Sequence, residues 1–390
     1  MLNFCRKLLQ IFSIASFIIC SAPSAWAASF TIDSGETVTT TQILNVDGDT
    51  GLIVSGGIID TSGTNGRRAV SVAADNVDVT NNGSISCRRS VDCISINGNR
   101  TNVTVINNGS ITASDTQGDG VAQNDGSNFI FINNGTISTS GSTNNVSLGS
   151  ETVINLGDNG SITNNGTLET TGNRGSAVFT RGDGDVVTNN GTITTSGTSA
   201  NGIFVGFNRA SVNPTITNNG IIRVTGADSE GILVDDSTGT IINNSGLISA
   251  DESATQSIDG SNNADTLNLL SGSQIIGIID LNGGTDIVNI SGANNSSTLT
   301  LTDTEVIRLV NGNGLIVGTV ATVVDPTGQS ISSAVLSNTT LAIHNNVNQR
   351  LAHHKPLKPI QVATSELTSG MVFQERGPQI WGSALGAKHS

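Results

Sequence analysis

The tripeptide Asn-Asn-Gly recurs at Asn81-Asn82-Gly83, Asn107-Asn108-Gly109, Asn133-Asn134-Gly135, Asn164-Asn165-Gly166, Asn189-Asn190-Gly191 and Asn218-Asn219-Gly220, with a variant Asn-Asn-Ser-Gly beginning at Asn243. The starts lie 26, 26, 31, 25, 29 and 25 residues apart. A period of this size marks a solenoid, in which each unit buries its apolar face only against its neighbours. Around each copy stand short apolar runs such as VTNNGSISC, VINNGSITAS and ITNNGTLETTG, and most copies add a third run such as GIFV at 202–205 or GILV at 231–234. The pattern reads as three short strands per unit separated by Asn-Asn-Gly and Ser-Gly turns. Asn and Gly tolerate the left-handed backbone angles that sharp corners use, so that property is expected to explain the tripeptide.

Three strands and three corners make one coil of a parallel β-helix, expected to be right-handed, with each strand paired to its counterpart one repeat away. Roughly eleven coils between residues 30 and 310, each about 4.8 Å high, would give a rod on the order of 50 Å long. Propeller blades need about 40 residues per repeat, and a sandwich gives no reason for a corner motif at near-constant spacing. Composition agrees with the solenoid. The 390 residues hold 46 Gly, ten Phe, two Trp and no Tyr, so the interior must be filled by Ile, Val and Leu rather than by rings.

Charge is segregated along the chain. Residues 28–310 carry 28 Asp or Glu against 10 Arg, a net −18, whereas residues 311–390 carry five basic and three acidic groups. Such a field repels nucleic acid and anionic membranes, so no nucleic-acid partner is expected. Every Lys and every His lies outside residues 8–343. That removes Ser-His-Asp and His-ligated metal chemistry from the repeat region, where no cofactor or metal is called for.

At the N-terminus, Arg6-Lys7, an apolar run over residues 8–20 and Ala25-Trp26-Ala27 form the three parts of a secretory signal, expected to span residues 1–27. Beyond it stand only Cys87 and Cys93, five residues between them, a candidate local disulfide in an oxidising compartment, with a buried dithiol as the alternative. Residues 28–260 are the repeat rod. Residues 261–320 drop the Asn-Asn-Gly corner and read as its capping end. Asn282-Gly283-Gly284-Thr285-Asp286 lacks the spacing of a calcium nonapeptide and is read as structural. Asp325-Pro326 then opens a helix over about 325–352, with Ile331, Val335, Ile343, Val347 and Leu351 on one stripe. Residues 353–390 end in an alternating segment around Trp381.

The signal segment, the acidic ITNNGTI-type repeats, the Asp-Pro-Thr-Gly helix ending Asn348-Gln349-Arg350-Leu351 and the segment Gln379-Ile380-Trp381-Gly382-Ser383 together resemble the type V autotransporter family. The resemblance implies a β-helical passenger, a linker helix at 325–352, and the first strand of an outer-membrane barrel within 353–390. A whole barrel needs about ten residues per strand and aromatic girdles, so the chain is expected to hold a truncated one. The outer-membrane assembly machinery would be a partner only where a barrel is present. The location implied is the outer membrane, cell surface or medium of a Gram-negative bacterium, or the periplasm if no barrel follows.

Two function classes follow, beside the alternative of a non-functional truncated autotransporter fragment. The first is a non-catalytic rod presenting loops for adhesion to a host or neighbouring-cell receptor. The charged loops, Arg67-Arg68, Arg88-Arg89 and Arg181-Gly182-Asp183, are assigned to the connection between second and third strands, and the last is a candidate cell-binding tripeptide. The second is a polysaccharide-degrading enzyme using a carboxylate pair, with Asp183/Asp185 and Asp235/Asp236 the nearest pairs in sequence, or calcium with an Arg base. Without a second signal these acids are read as solvated turn residues.

Overall fold

The computed structural model describes residues 29–325, apart from 117, 143–148, 252–254, 293 and 295, together with a helix at residues 337–349 apart from 338. The signal segment, most of the expected linker and all of 353–390 lie outside the described residues. So does the N-terminal part of the expected helix, of which the described part carries Leu341, Ile343 and Val347 on its surface.

Residues 30–311 form a three-faced parallel β-helix. Every third strand stacks on its counterpart, giving parallel faces of 12 and 10 strands and a third of 13 whose last two strands are antiparallel. Register is strict. On the first face Val79, Val105, Phe131, Ile162, Val187, Ile216, Ile242, Leu267 and Val288 are directly stacked. The second face contributes Ile59, Ile85, Ile111, Ile137, Leu168, Ile193, Ile222 and Ile248. The third adds Val70, Ile94, Val121, Val153, Val178, Ile203, Ile232, Ile258 and Ile279. All of these side chains are buried. β-branched side chains suit such files because they are stiff and fill a pleated surface, and each stabilises the fold by about 1.5–3 kcal/mol.

The corner between first and second faces is always two residues long from Asn81 to Leu247. Its inner Asn side chains form a continuous buried ladder. The Nδ2 groups of Asn81, Asn107, Asn133, Asn164, Asn189 and Asn218 each donate to Oδ1 of the Asn one coil on, every bond 2.8 Å, and the run passes through Asn244 to Oγ of Ser273. The outer Asn residues form a second ladder running the other way: Asn108 donates to Asn82, Asn134 to Asn108, Asn165 to Asn134, Asn190 to Asn165 and Asn219 to Asn190, at 2.8–2.9 Å. Ser245 then donates to Asn219. Asn244 and Ser245 therefore hold the inner and outer places of the last copy, which is shifted by one residue from the Asn243 assignment made on sequence. Asn243 instead starts a third ladder, with Asn268 and Asn289, one place earlier on the strands.

The reason for the tripeptide also differs from expectation. None of its residues has a positive φ. Its Gly is required by close stacking: a Cβ on Gly109, Gly135, Gly166, Gly191 or Gly220 would lie 2.0–2.1 Å from the carbonyl oxygen of the Gly one coil below. The left-handed positions occur elsewhere, at Asn76, Asn102, Asn128, Asn159, Gly184, Asn213 and Gly239, which turn the chain from third face to first. Each lies five residues before an inner ladder Asn.

Stacking continues past residue 261 on the first and third faces, while the second face ends at Gln274–Ile276. The closing element begins only at Ser297–Thr302, which pairs antiparallel with Val320–Val324, and that strand pairs antiparallel with Asn313–Val317.

Candidate interaction face

Within the Asn-Asn-Gly coils, residues 81–250, all variation in coil length falls at the two corners that flank the third face. The 31-residue interval between Asn133 and Asn164 comes from the connection at 140–152, before the third face, and the 29-residue interval between Asn189 and Asn218 from the connection at 206–214, after it. Third-face strands are apolar on both sides, as in Val178–Thr180 and Ile203–Val205, where every residue is buried. One side faces the main core. The other gives a separate cluster of Ala122, Ile154, Phe179 and Phe204, edged by Leu156, Phe207 and Leu233. Phe204 sits 5.2 Å from Phe179 and 5.7 Å from Phe207, centroid to centroid, in tilted and edge-to-face geometry. Beside it the Arg209 guanidinium bridges to Asp158 at 2.7 Å, holding the 206–214 connection to an earlier coil.

Along one margin of this face a column of side chains stands two positions before each third-face strand: Asp92, Asp119, Glu151, Ser176, Asn201, Glu230 and Gln256. Glu151 N–H donates to Asp119 at 2.8 Å, and Glu230 N–H donates to Asn201 at 2.9 Å. Burial pushes the Asp119 carboxyl well above its usual range, and the negative charges of Glu151 and Asp92 add to this. Burial likewise raises Glu151 to about 7. Ionisation of both carboxyls at once is disfavoured in this water-poor site. Glu230 is also raised to about 7, by burial and then by Asp259 and Asp228.

The other margin carries buried aspartates of a different kind. Asp185 accepts hydrogen bonds from Gly160 N–H at 2.6 Å, Gly182 N–H at 3.0 Å, Asn155 Nδ2 at 3.0 Å and the Thr180 hydroxyl. Burial raises its pKa to about 6, against the pull of those bonds. Asp286 accepts from Asp265 N–H at 2.7 Å, so the Asn282–Asp286 segment is a structural corner, as its sequence suggested.

These positions correct two sequence readings. Asp185 is a corner lock buried at 1% exposure rather than a solvated turn acid, and its carboxylate is occupied by backbone and side-chain donors while Asp183 binds Val212 N–H; the two do not act as a pair. Arg181-Gly182-Asp183 lies after the third strand, not before it. It is part of the stack rather than a projecting loop: Gly182 is buried with its backbone against Gly157, and Asp183 N–H donates to Asp158. The other two Arg pairs do lie on the connection before the third face. Arg88 and Arg89 both contact Asp115, at 3.2 and 3.0 Å. Asp115 is held below its usual range, first by the Thr116 N–H and then by these two guanidinium groups. Cys87 and Cys93 are joined in a disulfide that closes the loop bearing Arg88, Arg89 and Asp92.

Among the described residues, no group of three His, Cys, Asp or Glu side chains is disposed to hold a metal ion.

The fold and its corners define a pectate-lyase-like parallel β-helix. The family model described as the BigA third pectate lyase-like domain matches residues 26–292, and the chain belongs to that family. No curated protein and no solved structure shows a significant match.

Proposed function

We propose that this chain is an exported, autotransporter-like surface protein whose β-helical rod is a non-catalytic spacer that presents the loops flanking its third face to a receptor on a host or neighbouring cell. One observation carries the reading: among the coils of residues 81–250, length varies only at the two corners beside the third face, while the Asn-Asn-Gly corner stays two residues long. A binding surface needs freedom of sequence and a rigid support. The N-terminal Arg6-Lys7, apolar run and Ala25-Trp26-Ala27 support export, and the match to a pectate-lyase-like solenoid family supports the passenger. The test is adhesion of cells or latex beads displaying the full chain. Replacing residues 206–213 by a short Gly-Asn turn is expected to abolish adhesion while leaving the circular dichroism spectrum unchanged; undiminished adhesion refutes the assignment of the face.

A second reading rests on Asp119 and Glu151. A carboxyl kept protonated near neutral pH beside a second carboxyl is the equipment of a polysaccharide-cleaving acid–base pair. Release of reducing or unsaturated ends from a panel of acidic and neutral polysaccharides, lost in Asp119→Asn, would favour the enzyme over the spacer.

A further inference from the structure

The closing element ends in a strand that breaks every rule by which sheets protect their edges. Asn313–Val317 pairs on one side with Val320–Val324 and on its other side with no strand among the described residues. All five of its residues are exposed, Leu315 at 67% and Val317 at 63%. Val310, Ile316, Val320 and Val324 add exposed apolar surface around it. Exposed edges are normally blunted by Lys, Pro or inward-pointing charge. Here residues 309–324 (LVNGNGLIVGTVATVV) contain no charged residue and no Pro. An edge of this kind offers a row of free backbone donors and acceptors together with an apolar strip, which is what an added strand requires.

We infer that Asn313–Val317 is a homotypic docking strand, pairing antiparallel with the same strand of a second copy across a two-fold axis at Leu315. Two observations select a second copy as the occupant. An antiparallel strand pair is self-complementary, so identical edges satisfy one another's hydrogen bonds with no new sequence. Charge restricts the meeting to this place: the body of each rod carries −18 over residues 28–310 and repels a parallel neighbour, whereas the 16 residues around the strand are neutral. On a two-fold axis Leu315 faces Leu315, and Asn313 faces Val317. The contact is small, so association is weak and concentration-dependent, as for interfaces below about 1,200 Å². This inference rests on the fold alone and does not depend on the receptor-binding reading.

Sedimentation velocity of the full chain over a wide concentration range is expected to show a monomer–dimer equilibrium, weakened at least tenfold in Leu315→Lys and in Val317→Lys. Both side chains are exposed, so thermal melts should not shift, which separates loss of docking from loss of folding. The symmetry has its own test in a chain whose Cys5 and Cys20 are replaced by Ser. Leu315→Cys should form a covalent dimer under mild oxidation, and Ser84→Cys, on the third coil of the rod, should not. A chain that stays monomeric at every concentration, Lys variants that dimerise as well as the parent, or equal cross-linking at Ser84 would each overturn the inference.

Discussion

The inner Asn ladder can be tested against its neighbour one residue away. Asn164 is buried at 1% exposure. Its Nδ2 donates to Asn189 Oδ1 at 2.8 Å, to Thr192 O at 3.2 Å and to Gly166 O at 3.3 Å, and its Oδ1 accepts from Asn133 Nδ2 at 2.8 Å and from Gly166 N–H at 3.2 Å. Asn164→Ala removes both ladder bonds at this coil. Each net bond contributes about 1 kcal/mol, and the buried Asn189 oxygen left without its ladder donor costs about 1–3 kcal/mol more, so the loss should be about 3–5 kcal/mol. Asn165 belongs to the outer ladder, where its bonds to Asn134 and Asn190, both 2.9 Å, are open to water. Asn165→Ala should then cost less than about 1 kcal/mol, because water replaces the lost partners. Urea unfolding followed by circular dichroism at 218 nm, in the β-sheet band, measures both changes on the same protein. Equal losses in the two variants, or a neutral Asn164→Ala, would refute the view that the buried ladder rather than the turn itself holds this corner.

Other consequences concern the corner glycines, pH and chemical ageing. Gly166→Ala would place a methyl 2.1 Å from the Gly135 carbonyl oxygen, and the required separation of coils should lower stability by about 1–3 kcal/mol or prevent folding, read from the same urea curves. Glu151 and Glu230, raised to about 7, and Asp185 and Asp286, raised to about 6, hold protons in the folded rod that the unfolded chain has released. Their contribution is fully present below about pH 4 and is lost as pH rises toward 7, so the melting temperature should fall between pH 5 and pH 8. Glu151→Gln should flatten that slope, Glu151 alone accounting for at most about 3 kcal/mol. Asn-Gly pairs deamidate when the Gly nitrogen attacks the Asn side chain, yet here Gly109, Gly135, Gly166, Gly191 and Gly220 N–H groups are bound to Asn carbonyls one coil below. Peptide mapping after incubation at pH 8 should therefore show slow deamidation at Asn108, Asn134, Asn165, Asn190 and Asn219 in folded protein and rapid deamidation in urea.

Much of the coil was legible in the residues. Period, strand count and the Ile/Val files follow from spacing and alternation, because a register error would turn a whole file outward. The corners were less legible, since Asn and Gly serve two unrelated purposes in this chain. In Asn-Asn-Gly they supply amide ladders and room for a neighbouring backbone; at Asn76, Asn102 and Gly184 they supply a left-handed turn. Composition does not separate these uses, although the fixed five-residue offset between them was present in the sequence. The third face is less legible for a similar reason. Where both sides of a strand are apolar, as in SAVF and GIFV, alternation does not say which side is inward, so Phe179 and Phe204 gave no hint of a second cluster. The acids of the flanking columns were hidden too. An Asp in a five-residue turn reads as solvated unless the donors that surround it, such as Gly160 and Gly182 for Asp185, are known to be one coil apart.

The two opposed amide ladders make the reach of this molecule a quantised property. A residue gained or lost between Asn82 and Gly83 would break both ladders at that coil, whereas the longer connections at 140–152 and 206–214 beside the third face leave them in register. A lineage of such rods can therefore lengthen only in whole steps, each about 4.8 Å along the axis, while its lateral loops drift freely. Length of the rod and the surface beside its third face become separately adjustable, because they are written into different corners of the same coil.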